Sequence, residues 1–321
     1  MGLTFVARSP PQSKIMQTLE CIQTPVPISK TRTRRRLIIN ADGYGFTPGV
    51  NRGIVRTFEA GMIKSTSCTP NFGFLSGAGA LARRFPDVSF GIHFNLSVGR
   101  PLTDPRDVPT LVGNDGCFVG SRLIYRICAG RVRLAEAVRE LTAQAAVLAD
   151  QGIRISHWDG HQNKHLWPLY FEAGCEVAKR FGIRAIRCHR RLMYGNAGAI
   201  SCAKAWRFYS RHPAHIFSHA GGRWRTSQAE RRGFVRADSL ISPGYTDDSS
   251  KDVRSFWETL ARTLSQGSHE IYCHPAEPDE LLRANATYVE QRAAELELLT
   301  DSAIRRLFGD AGIELISFHE L

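Results

Sequence analysis

Four short apolar runs in this chain each stop on a residue that can bind a metal or move a proton. Leu37-Ile38-Ile39-Asn40-Ala41 ends at Asp42, and Val88-Ser89-Phe90-Gly91-Ile92 ends at His93. Ile155-Ser156-His157-Trp158 ends at Asp159, with His161 two residues on, and Ile271-Tyr272-Cys273 ends at His274. In parallel α/β architectures, sites form at the carboxyl ends of strands. A single histidine after a strand is more often a satisfied structural residue. Four such ends in one chain point to a shared site. A carboxylate with two imidazoles is the ligand set of a catalytic metal centre that keeps positions open for water and substrate.

The elements that must position these residues alternate. Strand-type runs fall near 65–70, 88–95, 153–159, 185–188, 270–273 and 314–318, besides the first at Leu37. Helical patterns fall at 50–61, where Ile54, Val55 and Phe58 share a face, and near 78–84, 134–151, 169–181, 253–264 and 302–311. This alternation predicts βα units around a mostly parallel sheet or barrel. No internal repeat is visible. Residues 190–250 break the rhythm, with many Arg, Gly, Ser and aromatic residues and no clean period. They are read as an irregular insertion, a lid or a solvated loop.

The chain has 321 residues, 43% of them hydrophobic, enough for a sizeable core in one domain or two. The formal net charge is +12. Half of that excess lies in residues 1–36, where Arg8, Lys14, Lys30, Arg32, Arg34, Arg35 and Arg36 face only Glu20. Residues 1–35, rich in proline and ending in a basic run, are expected to be a disordered extension, with one domain over 36–321. The charge of the remaining body is ordinary for its size, and no recognition motif accompanies it, so no nucleic-acid partner is expected. The eight cysteines are scattered without a CxxC pair, as in a reducing compartment. No apolar run reaches the ~20 residues that span a bilayer, and the first residues lack the charged-then-apolar layout expected of a secretory signal. The expected location is the cytoplasm. Homo-oligomer formation is left open.

Four motifs resemble those of the YdjC-like family, which includes chitooligosaccharide and hopanoid-pathway deacetylases. Asn40-Ala-Asp-Gly-Tyr-Gly-Phe-Thr-Pro-Gly-Val-Asn-Arg-Gly-Ile54 resembles its opening motif and Gly91-Ile-His-Phe-Asn-Leu96 its second. His157-Trp-Asp-Gly-His-Gln-Asn-Lys-His165 is similar to the third, Cys273-His-Pro-Ala276 to the fourth, and Arg292 to Thr300 to a segment near the C-terminus. The resemblance spans roughly 36–321 and implies a single (β/α) barrel-like domain of the glycoside hydrolase/deacetylase type. It implies a metal-dependent hydrolase that removes the N-acetyl group from an amino sugar in an oligosaccharide, glycoconjugate or glycolipid. The implied cofactor is one divalent metal ion, usually Mg2+, with Zn2+ or Co2+ as other candidates. Carried over by position, the ligands are His93 and His161, the opening-motif carboxylate is the acid–base group, and His274 is a pocket residue.

The chemistry of the residues agrees. Amide hydrolysis needs a carboxylate beside the attacking water and a proton donor for the departing amine. Asp42 fits the first role, and a share in metal binding, while His274 fits the second. Asp159 has three readings: it fixes an imidazole tautomer, adds a ligand, or accepts from a sugar hydroxyl. His165, four residues after His161, is read as lining the substrate pocket. Arg187 ends another strand and either binds a substrate oxygen or forms an ion pair. His157, alternating with Asp159, either joins these residues or packs into the barrel wall. One departure stands out: the family carries two consecutive Asp in the opening motif, and this chain has Asp42-Gly43. A degenerate relative that binds sugar without cleaving it is the competing expectation.

Overall fold

The computed structural model describes residues 34–195, 198–199, 209–211, 213–242, 252–286 and 288–321. The expected disordered extension lies almost wholly outside these residues. In chain order the described strands are β1 (Arg35–Tyr44), β2 (Ser65–Cys68), β3 (Ser89–Phe94), β4 (His157–Gly160), β5 (Ala185–Ile186) and β6 (Arg191–Leu192). They are followed by β7 (Tyr194–Gly195), β8 (Gly198–Ala199), β9 (Ser239–Ile241), β10 (Gly267–Cys273) and β11 (Ile313–Leu315).

β1 is the hub. Its residues Leu37 to Asp42 are buried on both faces, as a central parallel strand requires. It pairs in parallel with β10 from Arg35↔Gly267 to Ala41↔Cys273, and its later half pairs with β2. The sheet runs β5-β4-β3-β2-β1-β10-β9-β6, with β11 paired to the start of β1. Near its two ends, β6 pairs with β9 and Ala185 of β5 bridges Val235, which precedes β9, in parallel. The result is a parallel-strand, (β/α) barrel-like fold. Helices pack outside it. Pro48–Glu59 opens with Thr47 accepting from the Val50 amide at 3.2 Å and Pro48 at its start, two features that favour helix initiation.

Three expectations change. The 190–250 span is not irregular throughout: among its described residues are β6, the β7–β8 hairpin, the helix Pro213–Arg231 and β9. β9 is an integral strand of the sheet. The Arg-rich helix hides its element type because its apolar residues follow no face. The fourth strand is shorter than 153–159, since residues 153–156 only lead into His157. The first strand is also not regular at its end. Its register with β2 shifts between Asp42 and Tyr44, and Gly43 sits there at φ +97°. This is a glycine bulge, which re-aims side chains that a regular strand would alternate.

Candidate active site

The barrel's carboxyl mouth brings the strand-end residues together. Asp42 leaves β1, His93 lies in β3, Asp159 in β4, and His274 follows β10. One donor atom from each of Asp42, His93 and Asp159 lies within 4.8 Å of the others. The His93 Nδ1–H donates to Asp159 Oδ1 at 2.7 Å, which fixes the ring and leaves Nε2 clear of that carboxylate for a ligand. Ser67, near the end of β2, donates to Asp159 Oδ2 at 3.1 Å.

Arg187 binds this cluster from beneath. Its Nη1 and Nη2 donate to Asp42 Oδ2 and Oδ1 at 2.8 and 2.6 Å. Nη2 also meets Asp159 Oδ2 at 2.7 Å, and Nε donates to Glu270 Oε1 at 2.7 Å. A single buried guanidinium thus serves three buried carboxylates, with a planar fork that a lysine lacks. Burial would raise the Asp42 and Asp159 carboxyls, but Arg187 outweighs it and holds both below the usual range. Burial lifts Glu270 to about 7 in spite of Arg187, because Asp159 and Asp42 repel its charge. Burial pulls His93 down, yet the Asp159 and Asp42 carboxylates outweigh it and raise its pKa.

A cavity of about 340 Å3 opens above the cluster. Asp42, Gly43, His93, His161, Arg187 and His274 all reach its wall, joined by Tyr272, Tyr288 and Arg292. His161 stands edge-on to His93, ring centroids 5.5 Å apart. Burial, then the His93 and Lys164 charges, push it down to about 3. His274 lies between Tyr272 and Tyr288, and its backbone N–H donates to Glu295 at 2.6 Å. Burial and then Arg292 push its imidazole to about 3. Both rings are therefore neutral at physiological pH. Gln162 and Asn163, also in the wall, hold left-handed backbone at φ 55° and 56°. Non-glycine residues adopt that conformation at a cost and gather at functional sites.

The geometry bears on several sequence-based readings. His165 does not line the cavity. It is fully buried, with its Nε2 3.0 Å from His189 Nε2 behind Trp158. Its spacing from His161 does not put both rings on one helical face, because the Gln162–Asn163 kink interrupts the helix. Asp159 is inaccessible to a sugar hydroxyl and instead orients His93. Arg187 reaches the wall, but its donors are taken by carboxylates, so the ion pair prevails over substrate binding. His157 packs into the barrel, stacked on Phe318 at 3.7 Å. His161 is not among the three residues whose donor atoms converge.

Other site residues escaped the sequence reading. Glu270 lies inside β10, where no strand-end rule looks. Ser67, one residue before the end of β2, carries no titratable group. Tyr288 and Arg292 come from a segment that resembled the family without an assigned task. Arg292 is 8% exposed, and its side chain meets Tyr288 at the backbone carbonyl, the hydroxyl and the ring.

The donor set suits a divalent cation of the magnesium-to-zinc range. It combines carboxylate oxygens with an imidazole whose tautomer is fixed, and it contains no soft sulfur donor. Asp42 and His93, with neutral His161 beside them, are the residues that would hold the ion.

A polar cluster at the carboxyl mouth of a parallel β/α barrel defines the class of barrel enzymes whose chemistry sits on strand ends. Comparison with known proteins narrows that class. The YdjC-like protein family matches residues 36–310, and the chain belongs to that family. Among its relatives, a carbohydrate deacetylase of Geobacillus stearothermophilus is 29% identical over 290 residues, covering 89% of this chain and 98% of the relative. A carbohydrate deacetylase of Listeria monocytogenes serotype 4a is 27% identical over 291 residues, covering 89% and 100%. A solved Enterococcus faecalis V583 structure, described as a cellobiose-phosphate cleavage protein, superposes with a TM-score of 0.69 at 24% identity, covering 89% and 98%.

Proposed function

We propose that this protein is a metal-dependent carbohydrate N-deacetylase that hydrolyses the N-acetyl group of an amino sugar in an oligosaccharide or glycoconjugate. The observation that carries the reading is the buried Asp42–His93–Asp159 cluster opening onto a cavity walled by neutral His161 and His274. A bound divalent ion, Mg2+ by family resemblance, supplies Lewis acidity and a water of lowered pKa. The protein's own residues do the rest. Asp159 holds the His93 tautomer, Asp42 accepts a proton from the attacking water and passes it to the nitrogen as the C–N bond breaks, and neutral His274 donates a hydrogen bond to the departing amine. Tyr272 and Tyr288 offer aromatic faces to a sugar ring. The six described cysteines are free thiols, which agrees with a reducing, cytoplasmic setting.

One observation favours a second reading, a sugar-binding relative without turnover. Both Asp42 oxygens accept from Arg187, which lowers its basicity, and Gly43 offers no second carboxylate. An acetate-release screen over N-acetylglucosamine oligomers and glycolipids, with magnesium, zinc and cobalt, separates the two. The first reading predicts acetate with at least one metal. Saturable sugar binding without acetate supports the second, and neither binding nor acetate from any of them defeats both.

A further inference from the structure

The barrel's opposite, amino-terminal mouth holds a larger cavity, about 550 Å3, between the chain entries to β3, β4 and β5. It plays no part in the chemistry described above. Its floor is apolar, with Phe90, Ile155 and Phe318 among the lining residues, and its rim carries Arg83, Arg154 and Arg184. All three arginines are exposed, and none has an ion pair or a side-chain hydrogen bond among the described residues. No Asp or Glu side chain lines the cavity, and Leu321, the last residue of the sequence, lines one side of it.

Several other arginines are paired, Arg84 with Glu59, Arg190 with Glu230, Arg232 with Glu172 and Arg254 with Asp301, and exposed arginines without such a partner, such as Arg100, Arg122 and Arg131, do not line this cavity. His319 also lines this mouth, its pKa lowered by burial and then by the Arg154 charge, so Arg154 and the C-terminal segment are close in space. Three guanidinium groups on the rim of one apolar-floored cavity favour the approach of an anion. Guanidinium is the side chain best shaped for phosphate or carboxylate oxygens, and the arginine stems and aromatic floor suit an apolar body.

We propose that this mouth is a binding site for a small organic anion, a phosphate or carboxylate carried on an apolar ring-sized body. The anionic group sits among Arg83, Arg154 and Arg184, and the body lies on Phe90, Ile155 and Phe318. The site is separate from the catalytic cavity at the other end of the barrel and is independent of the deacetylase reading.

Isothermal titration of the full chain with inorganic phosphate, phenyl phosphate and benzoate tests it, alongside an Arg154→Gln/Arg184→Gln double variant. Both positions are exposed, so the variant keeps its fold, which circular dichroism verifies. The expected result is one saturable site per chain that takes phenyl phosphate or benzoate more tightly than inorganic phosphate. Affinity should fall at least tenfold in the double variant, about 1.4 kcal/mol, and weaken with added salt. Preference between phenyl phosphate and benzoate identifies the anionic group. The proposal is overturned if no probe binds saturably, if inorganic phosphate binds as well as the aryl compounds, or if the double variant binds like wild type.

Discussion

At the scale of single residues, the site is governed by one cation. Arg187 neutralises Asp42 and Asp159, and removing it would leave three carboxylates buried without a counter-charge. Breaking a buried ion pair from one side typically costs about 3–5 kcal/mol. Arg187→Met is therefore expected to lower the urea midpoint strongly, and Arg187→Lys to recover little of it, because an ammonium cannot reproduce the fork. An unfolding midpoint within error of wild type would remove Arg187 from this role. Glu270 has the opposite sign from its neighbours. Its pKa rises from 4.5 to about 7 on folding, so its contribution to stability is complete below about 4.5 and is lost as pH rises through about 7. The rise corresponds to on the order of 3 kcal/mol. Urea unfolding between pH 5 and 8 should show this loss in wild type and a flatter profile in Glu270→Gln; parallel profiles would refute it. His274, neutral across this range, should act without titrating. His274→Ala is expected to lower turnover by ~10²-fold while leaving the shape of the pH–rate profile between 6 and 9 unchanged. A lost limb would show that it works as an imidazolium.

At the scale of elements, the bulge at Gly43 decides what this site can be. A Cβ there would meet nothing closer than 3.9 Å, but φ is +97°, a region that side-chain-bearing residues avoid. Gly43→Asp is expected to destabilise the fold by about 1–2 kcal/mol and still bind metal more tightly, since the new carboxylate enters open cavity space beside Asp42. Calorimetric metal titration with thermal unfolding checks both halves, and unchanged affinity would show that position 43 does not face the ion. Most elements were legible because burial imposes a period. Helices 78–84 and 253–264 and the strand at 88–95 were located within a residue or so of their observed bounds. The Arg-rich helix Pro213–Arg231 was not, because it lacks a clean apolar face. Asp42, His93, His161 and His274 were legible at the site because each sits at or just past a strand end. Glu270 within β10, and the burial of His165 against His189, depend on contacts between segments 24 to 83 residues apart and leave no local pattern.

At the scale of the whole molecule, a parallel barrel gathers four separated motifs at one mouth and leaves the other free for a different use. No described helix is long and apolar enough to cross a membrane. The central claim, a metal held at His93 that drives deacetylation, is tested most directly by acetate release from N-acetylglucosamine oligomers. The assay compares wild type and His93→Ala, each metal-loaded and chelator-treated. The account predicts release by metal-loaded wild type, its loss on chelation and recovery with added metal, and a fall of at least ~10²-fold in His93→Ala. Acetate release that survives both chelation and the His93→Ala substitution would contradict it.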